Sequence, residues 1–218
     1  MRKANTAAIG KIGWIIRRMH VEASHRGAAV YRAEDSTKGK PFQILVFTML
    51  SARTKDEATL GVVKRLFKEA RTPSQVIALG QKRLEKLLYG VGFYRVKARN
   101  LAKACRMMEG GGVPDTLEGL LALPGVGRKT ANIVLARAYG KNTVGVDVHV
   151  QRISNRLGIV RTKKPEETER ALNKTIPARH LRTLNRDFVA FGQTVCLPRK
   201  PMCGICPVRK LCWRIGVE

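Results

Sequence analysis

Apolar residues recur along most of the chain at intervals of three and four residues, the spacing of one face of an α-helix. Two such sets are Leu60, Val63, Leu66 and Phe67, and Leu84, Leu87, Leu88 and Val91. Strict apolar–polar alternation is scarce, and short turn-forming segments such as Thr72-Pro73-Ser74 and residues 110–114 separate the periodic stretches. The pattern predicts roughly ten short helices and an all-α fold.

The N-terminal segment is basic, with no acidic residue before Glu22. This feature has some likeness to a transit peptide, but isoleucines at helical spacing favour an amphipathic first helix. The longest apolar run, 44–50, is interrupted by Thr48 and is far shorter than the ~20 residues that span a bilayer. We therefore expect a cytoplasmic protein with no membrane partner.

The charge of the chain points to a polyanionic partner. Its 218 residues carry a formal net charge of +26, with a pI near 10.8, and 44% of them are apolar. The apolar fraction indicates a globular protein, and the excess of positive charge exceeds what solubility requires. Nucleic acid is the favoured partner, with a membrane surface or an acidic protein as alternatives.

The stretch Leu123-Pro124-Gly125-Val126-Gly127 predicts a hairpin between two helices. Pro124 ends a short helix over 117–123, and the two glycines permit positive φ and close backbone approach. The first N–H groups of the next helix lack internal partners and can seat a phosphate. This helix-hairpin-helix pattern holds DNA without reading its bases. The DNA contacts that we expect here are Gly125, Val126, Gly127, Arg128 and Thr130.

Lys129 occupies the first turn of that next helix. The apolar stripe of the helix consists of Ala131, Val134, Leu135 and Ala138. Lys129 points almost opposite this stripe, and Ile133 and Ala136 share its side, so we expect the amine over a partly apolar cleft. Partial desolvation, Arg128 and the positive helix end all favour a neutral, nucleophilic amine. A plain phosphate contact is the alternative for Lys129.

Asp147 is the single carboxylate between Leu120 and Pro165, a segment that holds nine Lys or Arg residues. It directly precedes a helical run that ends at Gly158, which predicts an N-cap. An ionised aspartate in a basic, DNA-facing segment would otherwise repel the ligand, so it is also a functional candidate. His149 is a candidate substrate contact, although a structural role is the alternative for this histidine.

Four of the five cysteines lie in the last 23 residues, with the spacing C-x6-C-x2-C-x5-C. They are Cys196, Cys203, Cys206 and Cys212. Four thiolates this close in sequence suit either tetrahedral zinc or a 4Fe–4S cluster, and the spacing modestly favours the cluster. Arg199 and Lys200, in the loop between the first two cysteines, are candidate phosphate contacts.

The chain resembles the endonuclease III family of DNA glycosylases. The resemblance rests on LPGVGRKTA, on the aspartate of Val-Asp-Val-His eighteen residues after Lys129, and on the four-cysteine tail. It implies a two-lobe all-α fold, with a helical barrel over residues 34–141. The second lobe would combine residues 1–33 and 142–218 and carry the 4Fe–4S cluster.

The resemblance also implies a bifunctional glycosylase and AP lyase of base excision repair. Such an enzyme removes oxidised pyrimidines from double-stranded DNA, also acts at abasic sites, and nicks the strand 3′ to the site by β-elimination. Lys129 matches the family's nucleophile, Asp147 its essential carboxylate, and Phe93 a residue that wedges into the duplex. We expect a monomer that is associated with the nucleoid through DNA.

Three positions depart from the family pattern. Arg53 stands in Ser51-Ala52-Arg53 where many relatives have Ser-Ala-Gln, so we expect Arg53 to fill the gap left by the extruded base. Phe93 replaces an aliphatic residue, and Leu121 stands where the bacterial pattern can place a glutamate. The alternatives are a non-catalytic DNA-binding module, a uracil or thymine mismatch glycosylase, and a zinc-ribbon factor.

Overall fold

The structure is a computed structural model that describes residues 4–37 and 40–217, without the side chains of residues 33–36. The chain divides into two compact units. One is continuous and runs from Arg32 to Gly140, and the other combines Met1–Tyr31 with Lys141–Glu218. We call them the continuous unit and the discontinuous unit.

The regular structure of the described residues is helical, with one isolated bridge between Tyr89 and Val91. The α-helices are α1 Thr6–Gly10, α2 Ile12–His25, α3 Ala29–Thr37, α4 Pro41–Ser51, α5 Asp56–Glu69, α6 Pro73–Ala78, α7 Gly80–Leu88, α8 Tyr94–Met107, α9 Leu117–Leu121, α10 Arg128–Tyr139, α11 Val148–Leu157, α12 Pro165–Thr175 and α13 Ala178–Thr194. The prediction of an all-α fold is confirmed. None of the helices in residues 4–37 and 40–217 is long and apolar enough to cross a membrane.

The core of the continuous unit forms around α4, which is buried along nearly its whole length. Helix α10 packs on α4 and is likewise buried from Thr130 to Ala136. The stripes that periodicity predicts on α5 and α7 supply further core residues, including Leu66 and Leu84, both fully buried. The continuous unit therefore anchors α10 firmly while its first two residues, Arg128 and Lys129, stay exposed.

Helix starts in this unit follow the capping rules. Thr72 caps α6, which begins with Pro73, by accepting a hydrogen bond from the N–H of Gln75. Thr116 caps α9 by accepting from the N–H of Gly119 at 3.1 Å. Thr116 thus fixes the start of α9, the helix that leads into the hairpin.

The core of the discontinuous unit joins helices from both ends of the chain. Helix α2 packs along α13, and the largest fully buried side chains include Ile15, Phe188 and Phe191. The expected N-terminal helix is present, but it is divided into α1 and α2 at Lys11.

Asn5 links the N-terminal segment to later parts of the discontinuous unit. Its side-chain amide donates to the carbonyl oxygens of Leu157 at 2.7 Å and Leu211 at 2.8 Å, and its own N–H donates to Gly158 O at 2.9 Å. Its side-chain oxygen also accepts from the N–H of Ala8 and caps α1. One buried residue therefore joins three separate segments.

Candidate active site and cysteine loop

The predicted hairpin is present between α9 and α10. The N–H of Val126 donates to Leu123 O at 3.1 Å, and Gly125 has φ +84°. A Cβ at Gly125 would lie 3.0 Å from the side chain of Asn100 on α8, so the turn needs glycine for both conformation and space. Gly127 is the N-cap of α10, and nothing lies within 4 Å of where its Cβ would be.

The side chains of the hairpin differ in what they can offer to DNA. Val126 and Thr130 are 7% exposed, so their contribution to a phosphate site would come from the backbone. Gly125, Gly127 and Arg128 are exposed, and Gly127 has no side chain that could cap the first N–H groups of α10. The N-terminal turn of α10 therefore has the features of an anion-binding helix end.

Lys129 follows Arg128 in the first turn of α10 and is exposed. The predicted apolar stripe is correct, since Ala131, Val134 and Leu135 lie in the core. Ile133 and Ala136, which share the Lys129 side of the helix, are also buried. The expected cover of apolar side chains over the Lys129 amine stays a prediction.

Asp147 is the N-cap of α11, as its sequence position predicts. Its Oδ1 accepts hydrogen bonds from the N–H groups of His149 at 2.9 Å and Val150 at 3.0 Å. The carboxylate is half-buried. Two backbone donors thus fix its orientation at the start of the helix.

His149 lies against α13 in the discontinuous unit. A Cβ at Gly192 would lie within 3.1 Å of His149 atoms, so glycine is required for α11 and α13 to approach here. The Nη2 atom of Arg152 lies 3.2 Å from His149 Nδ1 and donates to Cys196 O at 2.8 Å and to Gly192 O at 3.1 Å. Burial lowers the pKa of the Arg152 guanidinium, which carries these bonds in its charged form.

Arg53 and Phe93 belong to two adjacent turns of the continuous unit. The Cζ atom of Arg53 lies 5.9 Å from the centroid of the Phe93 ring, a cation–π distance. Both residues have left-handed backbone, with φ +54° and +57°, and the Phe93 side chain is 65% exposed. Arg53 and Phe93, the two residues that the sequence predicts to enter the duplex, thus lie side by side on one surface.

The four C-terminal cysteines line one cavity with apolar side chains from α2, α11 and α13, among them Met19, Leu157 and Phe191. Cys206 and Cys212 sit close enough to the other two for their charges to interact. Burial raises the pKa of Cys206 to about 11 and also raises that of Cys212. All four thiols are free of disulfides.

Arg156 ties the first cysteine to its loop. The Arg156 side chain is buried, and its Nη1 donates to Cys196 Sγ at 3.3 Å and to Leu197 O at 2.7 Å. Its Nη2 donates to Pro198 O at 2.9 Å, directly before the exposed pair Arg199 and Lys200. Sequence reasoning missed Arg152 and Arg156, although the two are four residues apart on α11 and so share one face of the helix.

The donor set suits a soft metal centre because thiolate is the ligand that zinc and iron–sulfur clusters prefer. A cation can also replace the protons that burial holds on Cys206 and Cys212. Within the described residues, no group of three or more His, Cys, Asp or Glu side chains converges closely enough to hold a metal ion. The four cysteines therefore fit a metal centre in two respects: they line one cavity, and their thiols have the required chemistry.

Comparison with known proteins places these features in one family. The model of the HhH-GPD superfamily of base excision DNA repair proteins matches residues 46–178, from α4 to the start of α13. This range contains Arg53, Phe93, the hairpin, Lys129 and Asp147. The chain therefore belongs to the HhH-GPD superfamily.

Relatives narrow this to the endonuclease III family, which confirms the resemblance seen in the sequence. The endonuclease III of Thermotoga maritima is 46% identical over 175 residues, covering 79% of this chain and 82% of that protein. The Escherichia coli enzyme is 37% identical over 175 residues, with 79% and 83% coverage. The chain is thus a DNA glycosylase and AP lyase of base excision repair.

Solved structures agree with this assignment. A trapped endonuclease III–DNA covalent intermediate matches at 40% identity with a TM-score of 0.74, covering 79% of this chain and 83% of that one. A thermostable thymine-DNA glycosylase has the same TM-score at 22% identity, with 91% and 97% coverage, and shares the fold. The prediction of a helix-hairpin-helix glycosylase fold is confirmed, and a non-catalytic module is not favoured.

Proposed function

We propose that the enzyme removes oxidised pyrimidines from duplex DNA, with Lys129 as the nucleophile and Asp147 as the essential carboxylate. The observation that carries the proposal is the position of Lys129. It lies exposed in the first turn of α10, directly after a hairpin, and this helix start has no side-chain cap from Gly127 and suits a phosphate. An amine held there lies beside the sugar–phosphate backbone, where lyase chemistry takes place.

DNA is held mainly through phosphates. Hairpin amides from Gly125 to Gly127, Arg128, and the exposed Arg199 and Lys200 supply the contacts, so binding weakens steeply with salt. Phe93 and Arg53 enter the base stack as the damaged nucleotide swings out. A lesion that pairs poorly is easier to extrude, which contributes to selection.

The chemistry follows from a neutral amine. The Lys129 Nζ lone pair attacks C1′ of the extruded nucleotide, and the C1′–N bond breaks as the base leaves with its electron pair. The amine loses its protons and the sugar ring opens, which gives a Schiff base between Nζ and C1′. Asp147 stabilises positive charge on the sugar or accepts the amine proton. Loss of a C2′ proton expels the 3′ phosphate, and water then releases Lys129.

Cys196, Cys203, Cys206 and Cys212 would hold a 4Fe–4S cluster. When bound, the cluster supplies a rigid link that joins four points of the C-terminal segment. Arg156 and Arg152 keep Cys196 and the carbonyls around it in place, and thereby shape the loop that carries Arg199 and Lys200. Iron and acid-labile sulfide at about four each per chain are expected, whereas zinc without sulfide would contradict this assignment.

Borohydride trapping tests the proposed nucleophile. With a thymine glycol duplex, borohydride should capture a protein–DNA adduct at Lys129, identified by peptide mass. Lys129→Ala should form no adduct and lose base release and strand cleavage by at least about 10³-fold. Lys103→Ala, on the exposed side of α8, is the matched control. Strand cleavage that continues without an adduct at Lys129 would rule out this mechanism.

A lesion panel tests the substrate class. The enzyme is given duplexes that each carry thymine glycol, dihydrouracil, uracil, 8-oxoguanine or an abasic site. Thymine glycol, an oxidised pyrimidine, and dihydrouracil, a reduced one, should be released faster than the other bases. Faster release of uracil or of mismatched thymine would instead favour a mismatch-type glycosylase.

A further inference from the structure

Lys97 of α8 makes an unusual set of contacts for a lysine on a basic helix. Its Nζ donates hydrogen bonds to Leu50 O at 2.7 Å, Ala52 O at 2.7 Å and Thr54 Oγ1 at 3.0 Å. The side chain is half-buried, and burial lowers the pKa of the Lys97 ammonium to about 8, while the three oxygens favour its charged form. A lysine that serves only solubility would leave its ammonium in water.

The three acceptors lie at the C-terminal end of α4 and in the turn that follows it. Helix α4 ends at Ser51, and the carbonyls of its last residues have no partner further along the helix. Lys97 supplies a positive donor at this negative helix end. Arg53 lies between Ala52 and Thr54, and Lys97 holds the backbone carbonyl of Ala52 and the side-chain hydroxyl of Thr54, so the ammonium restrains the chain on each side of Arg53.

Lys97 also joins this turn to the turn that carries Phe93. The Lys97 N–H donates to Phe93 O at 3.0 Å, and Thr54 Oγ1 accepts from the N–H of Gly92 at 3.1 Å. A Cβ at Gly92 would lie 3.1 Å from Arg53 O, so the two turns are packed backbone to backbone. Lys97 and Thr54 are therefore shared by both turns.

The conformations at Arg53 and Phe93 need such support. Both residues carry a Cβ and both have left-handed backbone, which is disfavoured unless the surroundings hold it. The Phe93 ring is largely exposed and is approached by the Arg53 guanidinium, so side-chain burial does not fix these residues. The hydrogen bonds of Lys97 and Thr54 fix the backbone of the two turns instead.

We infer that Lys97 is a positioning residue that holds Arg53 and Phe93 ready for insertion into the duplex. Its removal then impairs extrusion of the damaged nucleotide but leaves the chemistry at Lys129 intact. The inference rests on the proposed function, because it assumes that Arg53 and Phe93 enter the base stack. It concerns a residue that touches neither the DNA nor the reacting atoms.

Two substrates separate extrusion from chemistry. Lys97→Met keeps the aliphatic length and removes the charge and the donors. In single-turnover assays it should release thymine glycol from a paired duplex about tenfold more slowly than wild type. Cleavage of a single-stranded abasic site, which requires no extrusion, should stay within about twofold. Lys103→Met on the same helix, whose side chain is exposed, should match wild type on both substrates.

A fluorescent reporter gives a readout that a general loss of stability would not move. A 2-aminopurine placed beside the lesion should brighten when saturating Lys129→Ala protein opens the stack. Adding Lys97→Met to that variant should remove most of the increase, even when all DNA is bound. A duplex with the lesion opposite an abasic site is already unstacked, and it should restore most of the excision rate.

Thr54→Val provides a second variant that does not depend on how Lys97→Met folds. It deletes the oxygen shared by Lys97 and Gly92 while nearly keeping the shape, and should slow duplex excision about threefold with single-strand cleavage unchanged. Wild-type duplex rates in Thr54→Val, or equal losses on both substrates in either variant, would overturn the inference. Absence of any Lys129 adduct in wild type would instead overturn the proposed function.

Discussion

The continuous unit contains two Gly-Val-Gly turns whose first halves are built alike. In each, the valine is buried and its N–H donates to a leucine carbonyl three residues earlier, Val91 to Leu88 at 3.3 Å and Val126 to Leu123 at 3.1 Å. The first glycine has positive φ in both turns, +113° and +84°. The two Gly-Val-Gly sequences, at residues 90–92 and 125–127, therefore share a local structure.

The two turns differ after the second glycine. Gly127 is itself the N-cap, so α10 starts at once and no N-cap side chain covers its first N–H groups. After Gly92, Phe93 intervenes in left-handed conformation and α8 begins one residue later. One additional residue thus changes a turn that presents backbone donors into a turn that presents an aromatic ring. Similar motifs in one unit can serve different tasks through this single position.

The largest expected effect concerns the first glycine of the hairpin. Gly125→Ala would place a Cβ against Asn100 at a residue with φ +84°, so we expect a loss of about 2 kcal/mol in the free energy of unfolding. Urea unfolding followed by circular dichroism measures it. An unchanged midpoint would show that the turn relaxes without glycine.

The next effect separates structure from ligand binding at the same hairpin. Gly127→Ala meets open space at an ordinary φ, so its unfolding free energy should stay within about 0.5 kcal/mol of wild type. The added methyl group stands where a phosphate approaches, and affinity for an undamaged duplex should fall about tenfold, or ~1.4 kcal/mol. Fluorescence anisotropy at fixed salt measures this. Equal affinity would argue against phosphate binding at these amides.

A third comparison tests what each turn presents. Phe93→Ala should slow excision from a paired duplex about fivefold while the slope of log affinity against log salt stays unchanged, because a ring neutralises no phosphate. Arg128→Ala should reduce that slope by about 1 and weaken binding to all duplexes alike. If both variants changed the slope, the proposal that the Phe93 turn inserts a ring while the Arg128 turn binds phosphate would be wrong.

The last effect is a pH dependence of stability at Lys97, whose size solvent screening reduces because the side chain is only half-buried. Its pKa is about 8 in the folded protein and 10.5 in an open chain, so between these values the unfolded state binds more protons. The free energy of unfolding of wild type relative to Lys97→Met should therefore rise with pH across this window and level off on either side. Urea titrations at half-unit pH steps would detect it, and a flat difference would contradict a buried ammonium.

Local signals predicted much of the fold. Periodic leucines mark α5 and α7, and Gly158 marks the end of α11, because burial of one helix face and the need for positive φ act on residues that are close in sequence. The N-cap role of Asp147 followed in the same way. These features depend on a few neighbouring residues, which a sequence shows directly.

Contacts between distant segments were not predictable. Lys97 has the same appearance in the sequence as Lys103, and only the fold brings the end of α4 to its ammonium. The apolar cover predicted over the Lys129 amine stays a prediction: Ile133 and Ala136 are buried, but a helix projection alone cannot show which side chains approach the amine. Arg152 and Arg156 likewise acquire meaning only when the cysteine loop meets α11.

The role of Asn5 bears on how the protein is made. Its partners Leu157, Gly158 and Leu211 leave the ribosome more than 150 residues later, whereas the continuous unit has all of its sequence once Gly140 has emerged. Domains generally fold as units during synthesis. The continuous unit, which contains Lys129, can therefore reach its native form before Asn5 meets its partners in the discontinuous unit. Because Asp147 belongs to the later half, a nascent chain that stalls between the two would carry the proposed nucleophile in a folded unit without the proposed carboxylate.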